Sequence, residues 1–461
     1  MILHEELQKI LSKDQITVNE TILEQHSKDE SYHTPHLPDV VVFPESTEDV
    51  SKVMKFASTN KIPVVPFGLG TSLEGHVIPY QGGISLDFQR MNKVLEVRPR
   101  DFLVRVQPGV TRSQVNKELK KYGLFFPVDP GADATLGGMA ATNASGTTSV
   151  RYGVMRDQVK DLEVVLADGE IIRTGGLSAK SSSGYNLTGL FVGSEGTLGI
   201  FTELVLRVHG IPEEIVAARA SFPTVEQAVN TAVSILGAGI PVARVELVDA
   251  RSIRQINRQF DRDYKEEPTL FLEFHGNQAG VVQDVELAKE LAVQEECSEW
   301  AFETETKARV QLWEARHNLA YAFLHGSPGK KMMVTDVCVP LTELADAVKF
   351  ARYELDESGL DGALLGHIGD GNYHALVMFN PEDAGEMSRA EKFNARLVEY
   401  ALSRGGTCTG EHGVGVGKRK YQIQEHGSAV NIMTRIKQSL DPLNILNPGK
   451  VLPNPQPSEK L

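Results

Sequence analysis

The sequence predicts an α+β protein with two regions of different texture along its 461 residues. Up to about residue 208, short strands are separated by loops rich in Gly, Ser and Thr, and from about residue 211 longer helices alternate with strands. The pair Asp168-Gly169 lies between two apolar runs and is typical of a hairpin turn, so the first region contains antiparallel neighbours. Mixed strands and helices of this kind indicate an α+β layout.

Each element of the first region is assigned from its own pattern. The run DVVVFP predicts a strand, and Ser46-x-x-Asp49 is a capping pattern that begins a helix over STEDVSKVMKFASTNK. The runs IPVVPFG, VLEVRP and FLVRVQPGV predict strands. TRSQVNKELKKYG predicts a helix that ends at Gly123, and LEVVLADGEIIRTG predicts the hairpin.

The second region predicts alternating helices and strands. Helices are expected over VEQAVNTAVSILGAG, VQDVELAKELAVQ and LTELADAVKFARYELDESG, and strands over VARVELVD, TLFLEFHG and MMVTDVCVP. Two strand–helix–strand halves with an antiparallel sheet would give a ferredoxin-like layer. RAEKFNARLVEYALSRGG predicts a further helix, and DPLNILNPGKVLP an irregular tail.

Composition excludes several classes of protein. The chain is 41% hydrophobic and 23% charged, which is ordinary for a soluble globular protein of two or three domains. Its net charge of −14 argues against nucleic acid as a partner. No apolar run approaches the roughly 18 residues of a membrane span, and the start, MILHEELQKILSKDQ, predicts a short amphipathic helix rather than a signal peptide. The three cysteines form no CxxC pair, so neither a zinc ribbon nor an iron–sulfur cluster is expected. We expect a cytoplasmic location.

The segment GHIGDGNYH, residues 366–374, is flanked by apolar runs and predicts two strands joined by a turn. Asp370-Gly371 suits a two-residue hairpin turn, which needs positive φ at both central positions. This register would place His367 directly opposite His374, with Cβ atoms about 5 Å apart. Two such imidazoles can share a metal ion, form a hydrogen-bonded core pair, or stand exposed. A metal would need a third ligand from elsewhere.

Three loops of glycine and small residues lie beside strands of the first region: PFGLGTSLEGH (66–76), TLGGMAATNASGTTSVRYG (135–153) and GSEGTLGI (193–200). Glycine lets backbone amides approach an anion, and Ser and Thr hydroxyls can donate to it. None has the GxGxxG or GxxxxGK[ST] frame of the familiar nucleotide motifs. One such loop is an ordinary turn, but three together predict a site for a large polyphosphate ligand.

These loops, with KSSSGYNLTGLF, GHIGDGNYH and GGTCTGEHGVGVGK, stand in the order found in FAD-linked 2-hydroxy acid dehydrogenases. From about Pro35 to Leu452 the chain resembles the D-lactate dehydrogenase (cytochrome) and glycolate oxidase D-subunit group of the vanillyl-alcohol-oxidase superfamily. The resemblance implies a two-part FAD-binding domain of the p-cresol methylhydroxylase (PCMH) type and a ferredoxin-like substrate domain. Its implied divisions are an N-terminal helical segment at 1–34, the FAD-binding domain at 35–212, the substrate (cap) domain with a metal-binding hairpin at 213–410, and a C-terminal segment at 411–461 that returns to the FAD domain.

The resemblance also implies which residues hold FAD, and that no covalent link is made. The pyrophosphate would lie on the first loop, at Pro66, Gly68, Gly70, Thr71 and Ser72. The cofactor would be lined further along by Pro130, Gly131, Gly137, Gly138, Ser145, Gly146 and Tyr152, and its adenine-ribose end by Glu195, Gly196 and Ile200. His76 is the one residue whose position would allow a covalent link to FAD. We expect it to make a noncovalent contact or to be a simple loop histidine.

In TGEHGVGVGK the resemblance assigns Glu411 as the third ligand, beside His367 and His374, of a divalent metal, zinc or manganese. Two histidines and one carboxylate with open positions suit such an ion. The ion would lower the pKa of the substrate hydroxyl, and His412 would then take the proton as the base. A supporting contact to the metal is the alternative role of His412.

A carboxylate substrate also calls for a cation. In QLWEARHNLAYAF the resemblance assigns Arg316, whose guanidinium fork matches a carboxylate; without the resemblance, a solvated helical arginine is the simpler interpretation. Lys331 is expected to assist, with Lys330 adjacent to it. Asn372 would contact the substrate or only satisfy the turn.

The implied activity is oxidation of a small D-2-hydroxy acid, D-lactate or glycolate, to the 2-oxo acid by hydride transfer to flavin N5. The alternatives are a D-2-hydroxyglutarate dehydrogenase, an FAD-holding electron-transfer subunit that is active only in a multi-subunit complex, and a sugar-oxidising flavoenzyme of the same superfamily. Because the chain has no cluster motif, an external acceptor is expected: a cytochrome, a quinone or an iron–sulfur partner subunit. A homodimer or a hetero-complex, and a cytoplasmic or membrane-peripheral location, are compatible with the sequence.

Overall fold

The computed structural model describes residues 3–453, which divide into two compact units. Unit 1 comprises residues 3–145, 153–211 and 411–453, and unit 2 comprises residues 146–152 and 212–410. Residues 1–2 and 454–461 of the predicted terminal segments lie outside the described range. Among residues 3–453, no helix combines the length and apolar character that are needed to cross a bilayer.

The strands are, in chain order, β1 Ile16–Thr17, β2 Val40–Val42, β3 Val64–Phe67, β4 Ile84–Asp87, β5 Val94–Arg98, β6 Leu103–Val106, β7 Leu124–Phe125, β8 Val159–Val165, β9 Ile171–Arg173, β10 Ile200–Arg207, β11 His209–Gly210, β12 Glu214–Ser221, β13 Val242–Val248, β14 Thr269–Gly276, β15 Glu299–Glu303, β16 Lys331–Val334, β17 Val337–Cys338, β18 Asp361–His367 and β19 Asn372–Phe379.

The α-helices are α1 Leu3–Leu7, α2 Glu20–Gln25, α3 Thr47–Asn60, α4 Arg112–Leu119, α5 Leu136–Thr142, α6 Ser149–Tyr152, α7 Met155–Gln158, α8 Leu187–Phe191, α9 Val225–Gly237, α10 Ala250–Phe260, α11 Gln278–Gln294, α12 Thr306–His317, α13 Leu319–Gly326, α14 Leu344–Ser358, α15 Ala384–Ser403, α16 Gln422–His426 and α17 Ala429–Leu440.

Unit 1 contains two main sheets and a short two-stranded one. The first has the order β1-β2-β4-β3, in which β2, β4 and β3 are parallel and β1 is antiparallel. The second, β5-β6-β10-β8-β9, is antiparallel and includes the predicted hairpin on Asp168-Gly169. The predicted cap is also confirmed, since the Ser46 hydroxyl accepts from the Asp49 amide at the start of α3. Mixed and antiparallel sheets with helices confirm the α+β prediction.

Unit 2 is built on one large antiparallel sheet with the order β15-β12-β14-β13-β18-β19-β16. The run β12–α9–β13, then β14–α11–β15, gives the ferredoxin-like strand order, with α10 added between its halves. The sheet then continues with β18, β19 and β16, so it is larger than the predicted layer. The predicted strand MMVTDVCVP is broken into β16 and β17, because Thr335 and Asp336 turn their side chains to buried hydrogen bonds.

Helices cover both faces of this sheet. Apolar residues of α10, α12 and α13 pack with those of β13, β14, β18 and β19 in one core. Helix α14 packs on the opposite face, where Leu355 lies against Gly362, and α9 and α11 pack beside it. Because side chains alternate along a strand, the sequence of each strand divides into residues of one face and residues of the other.

The histidine segment does not form the two-residue hairpin that the sequence predicts. A 3₁₀ turn over Ile368–Asp370 and Gly371, at φ +80°, join the strands, and Leu365 pairs with His374. The register differs by two residues from the prediction, so His367 is a diagonal neighbour of His374. A shift of two keeps both rings on the same face, with centroids 5.4 Å apart. The wider turn follows from tertiary contacts, because Gly369 lies against Val150 and Gly371 lies against the carbonyl of Val339.

The segment 411–453 is tied to the rest of unit 1 by hydrogen bonds around Glu195. The Glu195 carboxylate accepts from the amides of Val414 and Gly415, at 2.7 and 2.8 Å. The side-chain amide of Asn447 donates to the carbonyls of Glu195 and His76, at 2.8 and 3.0 Å. These bonds fix the last part of unit 1 on the third glycine loop.

Glu195 and His76 form a buried ion pair, with 3.4 Å between Nε2 and the carboxylate. Burial opposes ionisation of Glu195, but His76 and the two backbone amides outweigh it and hold the pKa of Glu195 below its ordinary 4.5. Burial likewise opposes a charge on His76, but Glu195, Asp29 and Glu74 outweigh it and raise the pKa of His76 above 6.5. Glu195 therefore adds stability that is lost as pH falls through its lowered pKa. His76 adds stability that is lost as pH rises through its raised pKa.

Replacing Glu195 by Gln should lower the free energy of unfolding by about 1–3 kcal/mol, since buried amide donors lose a charged acceptor. The difference from wild type should be largest between pH 4.5 and 6.5, where both partners are charged. Urea unfolding across that pH range measures it. The control is Glu203→Gln, which removes a partly exposed ion pair with Arg173 and should cost no more than about 1 kcal/mol. Equal losses for both variants would contradict the role given to Glu195.

Replacing Gly371 by Ala should destabilise unit 2 by about 2–4 kcal/mol, because the residue needs positive φ and a Cβ would overlap the Val339 carbonyl oxygen. Gly359 at the end of α14 is the matched control, since it also has positive φ but open space around a Cβ. Gly359→Ala should cost about 1–2 kcal/mol. Urea denaturation followed by fluorescence compares the two, and a smaller loss at Gly371 would show that the turn can relax.

Candidate active site

One face of the unit 2 sheet carries a row of buried charged and polar side chains. Arg244 and Glu246 are two residues apart on β13, so their side chains lie on the same face of the sheet. The pairing of strands places Glu273 opposite Arg244 and His367 opposite Glu246. This is the face that α10, α12 and α13 cover, since it includes Leu365, the partner of His374. A charged row on the covered face of a sheet is exceptional, because buried charge requires compensating partners.

Glu246 is the centre of the first group in this row. Its side chain is fully buried, and its two oxygens serve two different partners. Oε1 lies 2.6 Å from His367 Nδ1, and Oε2 accepts from Arg316 at 2.6 Å. Arg316 is itself buried on the last turn of α12, and its Nε has no partner among the described residues. The predicted carboxylate-binding arginine therefore already forms an ion pair within unit 2.

His374, on β19, is held by a contact with the segment between β16 and β17. Its Nδ1 lies 3.0 Å from the carbonyl oxygen of Thr335, which can only accept, so Nδ1 carries the proton. Asp336, with an oxygen 3.7 Å from the same nitrogen, accepts from the side-chain amide of Asn372 at 2.8 Å. The Asn372 side chain also donates to the carbonyl of Val337, so its hydrogen bonds lie outside the turn, and its buried Oδ1 has no partner within residues 3–453. Its contact with the substrate stays a prediction.

Lys331 is not brought to the histidine pair. It is exposed at the start of β16 and pairs with Phe379. Phe379 is five residues from His374 along β19, which is about 16 Å of strand and leads to the opposite face. Alternation along the strand therefore separates Lys331 from the face that holds Arg316, against the expectation that it assists there.

A second group in the row has the same composition as the first. The carboxylate of Glu273 contacts His275 Nε2 at 2.7 Å and Arg244 at 3.4 Å. Burial opposes ionisation of Glu273, but Arg244 and His275 outweigh it and lower its pKa. His275 Nδ1 lies 2.9 Å from the Tyr152 hydroxyl, and the Arg244 guanidinium lies over the ring of Trp313. Tyr152 and Gly146, predicted to line the cofactor, thus belong to unit 2.

In unit 1 the predicted cofactor loops approach each other closely. A Cβ at Gly68 would lie 2.6 Å from the Thr135 hydroxyl, and one at Gly196 would overlap the ring of Pro66. Within residues 3–453, the backbone amides from Gly68 to Ser72 donate to no protein acceptor. The buried hydroxyl of Ser194, on the third loop, also has no partner in this range. Convergent loops with unused donors fit a polyphosphate ligand.

Some predicted cofactor residues have structural contacts of their own. The Ser72 hydroxyl donates to Asp29 at 3.0 Å, and Ile200 packs in a core of unit 1. The carboxylate of Glu195 holds the C-terminal segment, as described above. The other predicted residues of this unit lie in the loops or next to them: Gly70, Thr71, Pro130, Gly131, Gly137, Gly138 and Ser145.

Glu411 and His412 lie at the start of the C-terminal segment, in unit 1. The Ser145 hydroxyl donates to Glu411 Oε2 at 2.8 Å, and His412 Nε2 lies 3.9 Å from the other oxygen. Ser145, predicted as a cofactor contact, therefore orients the carboxylate that was predicted as a metal ligand.

Sequence reasoning missed Glu246, Asp336 and Asn447. Glu246 carries a signal, because it interrupts the apolar strand VARVELVD, where a charged residue on a covered face needs a partner. Asp336 interrupts MMVTDVCVP in the same way. Asn447 carries none, since an asparagine in an irregular tail is ordinary.

Comparison with known proteins matches both parts of the chain. The family described as "FAD linked oxidases, C-terminal domain" matches residues 211–451, and "FAD binding domain" matches residues 38–175. The chain is 47% identical over 441 residues to "Probable D-lactate dehydrogenase, mitochondrial" of Danio rerio, covering 95% of this chain and 89% of that protein. It is 35% identical to "Glycolate oxidase subunit GlcD" of Bacillus subtilis, covering 92% and 91%.

Solved structures support the fold. A p-cresol methylhydroxylase aligns with a TM-score of 0.80 at 19% identity, covering 97% of this chain and 95% of that one. An alkyldihydroxyacetonephosphate synthase aligns with a TM-score of 0.77 at 21% identity, covering 97% and 85%. The PCMH-type fold prediction is confirmed. The name of the Danio rerio relative describes that protein as mitochondrial, so a cytoplasmic location for this chain stays a prediction. The chain belongs to the family of FAD-linked oxidases and is an FAD-dependent oxidoreductase.

Proposed function

We propose that the chain oxidises a small D-2-hydroxy acid, D-lactate or glycolate, to the 2-oxo acid. The observation that carries this proposal is the pair His367 and His374, whose Nδ1 atoms both face acceptor oxygens. In the neutral form of each ring, the lone pair is then on Nε2, an atom that a metal ion can bind. The names of the D-lactate dehydrogenase and glycolate oxidase relatives support the substrate class.

The proposed metal ligands are His367, His374 and Glu411, with zinc or manganese as the ion. The donor set fits, since it offers two neutral imidazoles and a carboxylate held by Ser145. A divalent ion, when bound, lowers the pKa of the substrate hydroxyl. His412 is proposed to take the hydroxyl proton, because it follows Glu411 directly and a histidine can exchange a proton near neutral pH.

Arg316 is proposed to bind the substrate carboxylate. Its ion pair with Glu246 uses one terminal nitrogen of the guanidinium and leaves other N–H donors of the fork. Burial strengthens a charge-assisted bond at this position, because less water competes for the donors. FAD, when bound, supplies the acceptor for the hydride that leaves C2, and electrons then pass to an external cytochrome, quinone or iron–sulfur partner.

D-2-hydroxyglutarate is the second candidate substrate, and Arg244 is the observation that favours it. This arginine lies on the same strand and face as Glu246, so a second cation is available for a second carboxylate. Its contacts to Glu273 and to the Trp313 ring argue for a structural role instead. We therefore rank the one-carboxylate substrates first.

The purified chain should contain one FAD that acid releases, and D-lactate or glycolate should bleach the flavin under anaerobic conditions. Rates with both enantiomers of lactate and 2-hydroxyglutarate, and with glycolate, rank the substrates. A kcat/KM for D-2-hydroxyglutarate well above those of D-lactate and glycolate would reverse the ranking. Flavin that stays bound after denaturation would show a covalent link and give His76 a different role. If no hydroxy acid bleached the flavin, the chain would be an electron-transfer subunit.

Replacing His374 or Glu411 by Ala should remove bound metal, while His412→Asn should keep the metal and lower the rate of flavin reduction by about 10²–10⁴-fold. All three variants should retain FAD, because the glycine loops are unchanged. Metal content by mass spectrometry and anaerobic flavin bleaching are read together. A chelator should stop flavin reduction in the wild type, and Zn²⁺ or Mn²⁺ should restore it. Full activity of metal-free wild type would show that His367 and His374 are a core pair and not metal ligands.

A further inference from the structure

Unit 2 contains two groups of the same composition, one strand apart. Each has a buried glutamate between a histidine and an arginine: Glu246 with His367 and Arg316, and Glu273 with His275 and Arg244. The two groups lie on one face of the same sheet. They differ in which imidazole nitrogen faces the carboxylate.

We infer that Glu246 is a positioning residue that couples metal affinity to substrate affinity, by holding His367 with one oxygen and Arg316 with the other. This inference deepens the proposed function and rests on it. Glu246 touches neither reacting atom; it acts through the ligand on one side and the carboxylate-binding cation on the other.

The chemistry of the acceptor explains why the residue has to be a carboxylate. Arg316 can only donate, and His367 must donate from Nδ1 if Nε2 is to keep its lone pair. The two donors sit at the two different oxygens of Glu246, each at 2.6 Å, so both oxygen positions must accept. A glutamine would place its NH₂ group at one of these two positions, so there a donor would face a donor, either Arg316 or His367 Nδ1.

The second group shows that this arrangement is not a general property of such triads. His275 faces its glutamate with Nε2, and its Nδ1 lies 2.9 Å from the Tyr152 hydroxyl. The remaining nitrogen is therefore engaged by a side chain. His367 faces Glu246 with Nδ1 instead, and its Nε2 is the nitrogen farther from the strand backbone. Of these two groups, the Glu246 group is the one that holds its histidine by Nδ1.

Replacing the Glu246 carboxylate should therefore weaken metal binding and substrate binding together. Loss of a carboxylate that orients a metal-binding histidine typically weakens metal binding by 10–100-fold. Arg316 loses its fixed orientation in the same substitution, so KM for the hydroxy acid should rise as well. A residue with only a structural role would lower the stability of unit 2 and leave metal affinity and KM in the folded fraction unchanged.

The test compares Glu246→Gln, Glu246→Asp and the matched control Glu273→Gln, as full chains with FAD bound. Zn²⁺ dissociation constants are measured by competition with a chromogenic chelator, and KM and kcat separately by flavin reduction. Glu246→Gln should bind Zn²⁺ about 10–100-fold more weakly and show a raised KM. Glu246→Asp keeps both oxygens and should recover part of both losses. Glu273→Gln should leave Zn²⁺ affinity within about threefold of wild type.

Three outcomes would overturn the inference: wild-type Zn²⁺ affinity in Glu246→Gln, an equal loss in Glu273→Gln, or no recovery in Glu246→Asp. If Glu246→Gln does not fold, Glu246→Asp decides the question, because it should weaken metal binding and raise KM together. If wild type binds no metal, the metal part of the proposed function fails by itself. The coupling to metal affinity then fails too, and the ¹⁵N shifts of His367 decide the remaining part, that Glu246 orients the ring: Glu246→Gln should change the tautomer ratio and Glu273→Gln should not, and an unchanged ratio in Glu246→Gln would overturn it.

Discussion

The fully buried carboxylate of Glu246 is the constraint on which the organisation of unit 2 depends. A charge removed from water is tolerated only where partners and hydrogen bonds replace the hydration that it loses. The replacement for Glu246 comes from β18 and α12, elements that are distant in sequence. The pairing of β13 with β18 and the position of the last turn of α12 are therefore specified by the two contacts of this carboxylate as well as by the apolar core around Trp313.

Unit 1 depends on a different constraint, which is the close approach of the backbones of its glycine loops. Gly68 and Gly196 lie where any Cβ would meet Thr135 or Pro66, and the amides that follow Gly68 stay without protein acceptors in the described part of the chain. Side chains are excluded so that main-chain donors can converge. Polar side chains in this unit, notably Glu195 and Asn447, instead hold the loops to the C-terminal segment.

The sequence predicted what depends on local pattern and did not predict what depends on distant contacts. The cap at Ser46, the hairpin on Asp168-Gly169 and most helices follow from nearby residues, and they were correct. The turn after His367 was wrong by two residues, because contacts of Gly369 and Gly371 with other segments override the preference of Asp-Gly. Lys331 was expected to assist Arg316, and only the observed register shows which face it occupies. Partners such as Glu246 require three-dimensional proximity that spacing along the chain does not show.

The division of unit 1 into three stretches of chain has a consequence for biosynthesis. Val64 of β3 hydrogen-bonds to Ile445 and Asn447, so residues far apart in the sequence must meet in one structure. During translation, strand β3 leaves the ribosome long before its partner is made, while unit 2 is complete once residue 410 has emerged. Long-range pairings of this kind form slowly and expose apolar edges meanwhile. Unit 2 is therefore expected to fold first on the ribosome, and the FAD-binding unit to wait until Ile445 and Asn447 have been made.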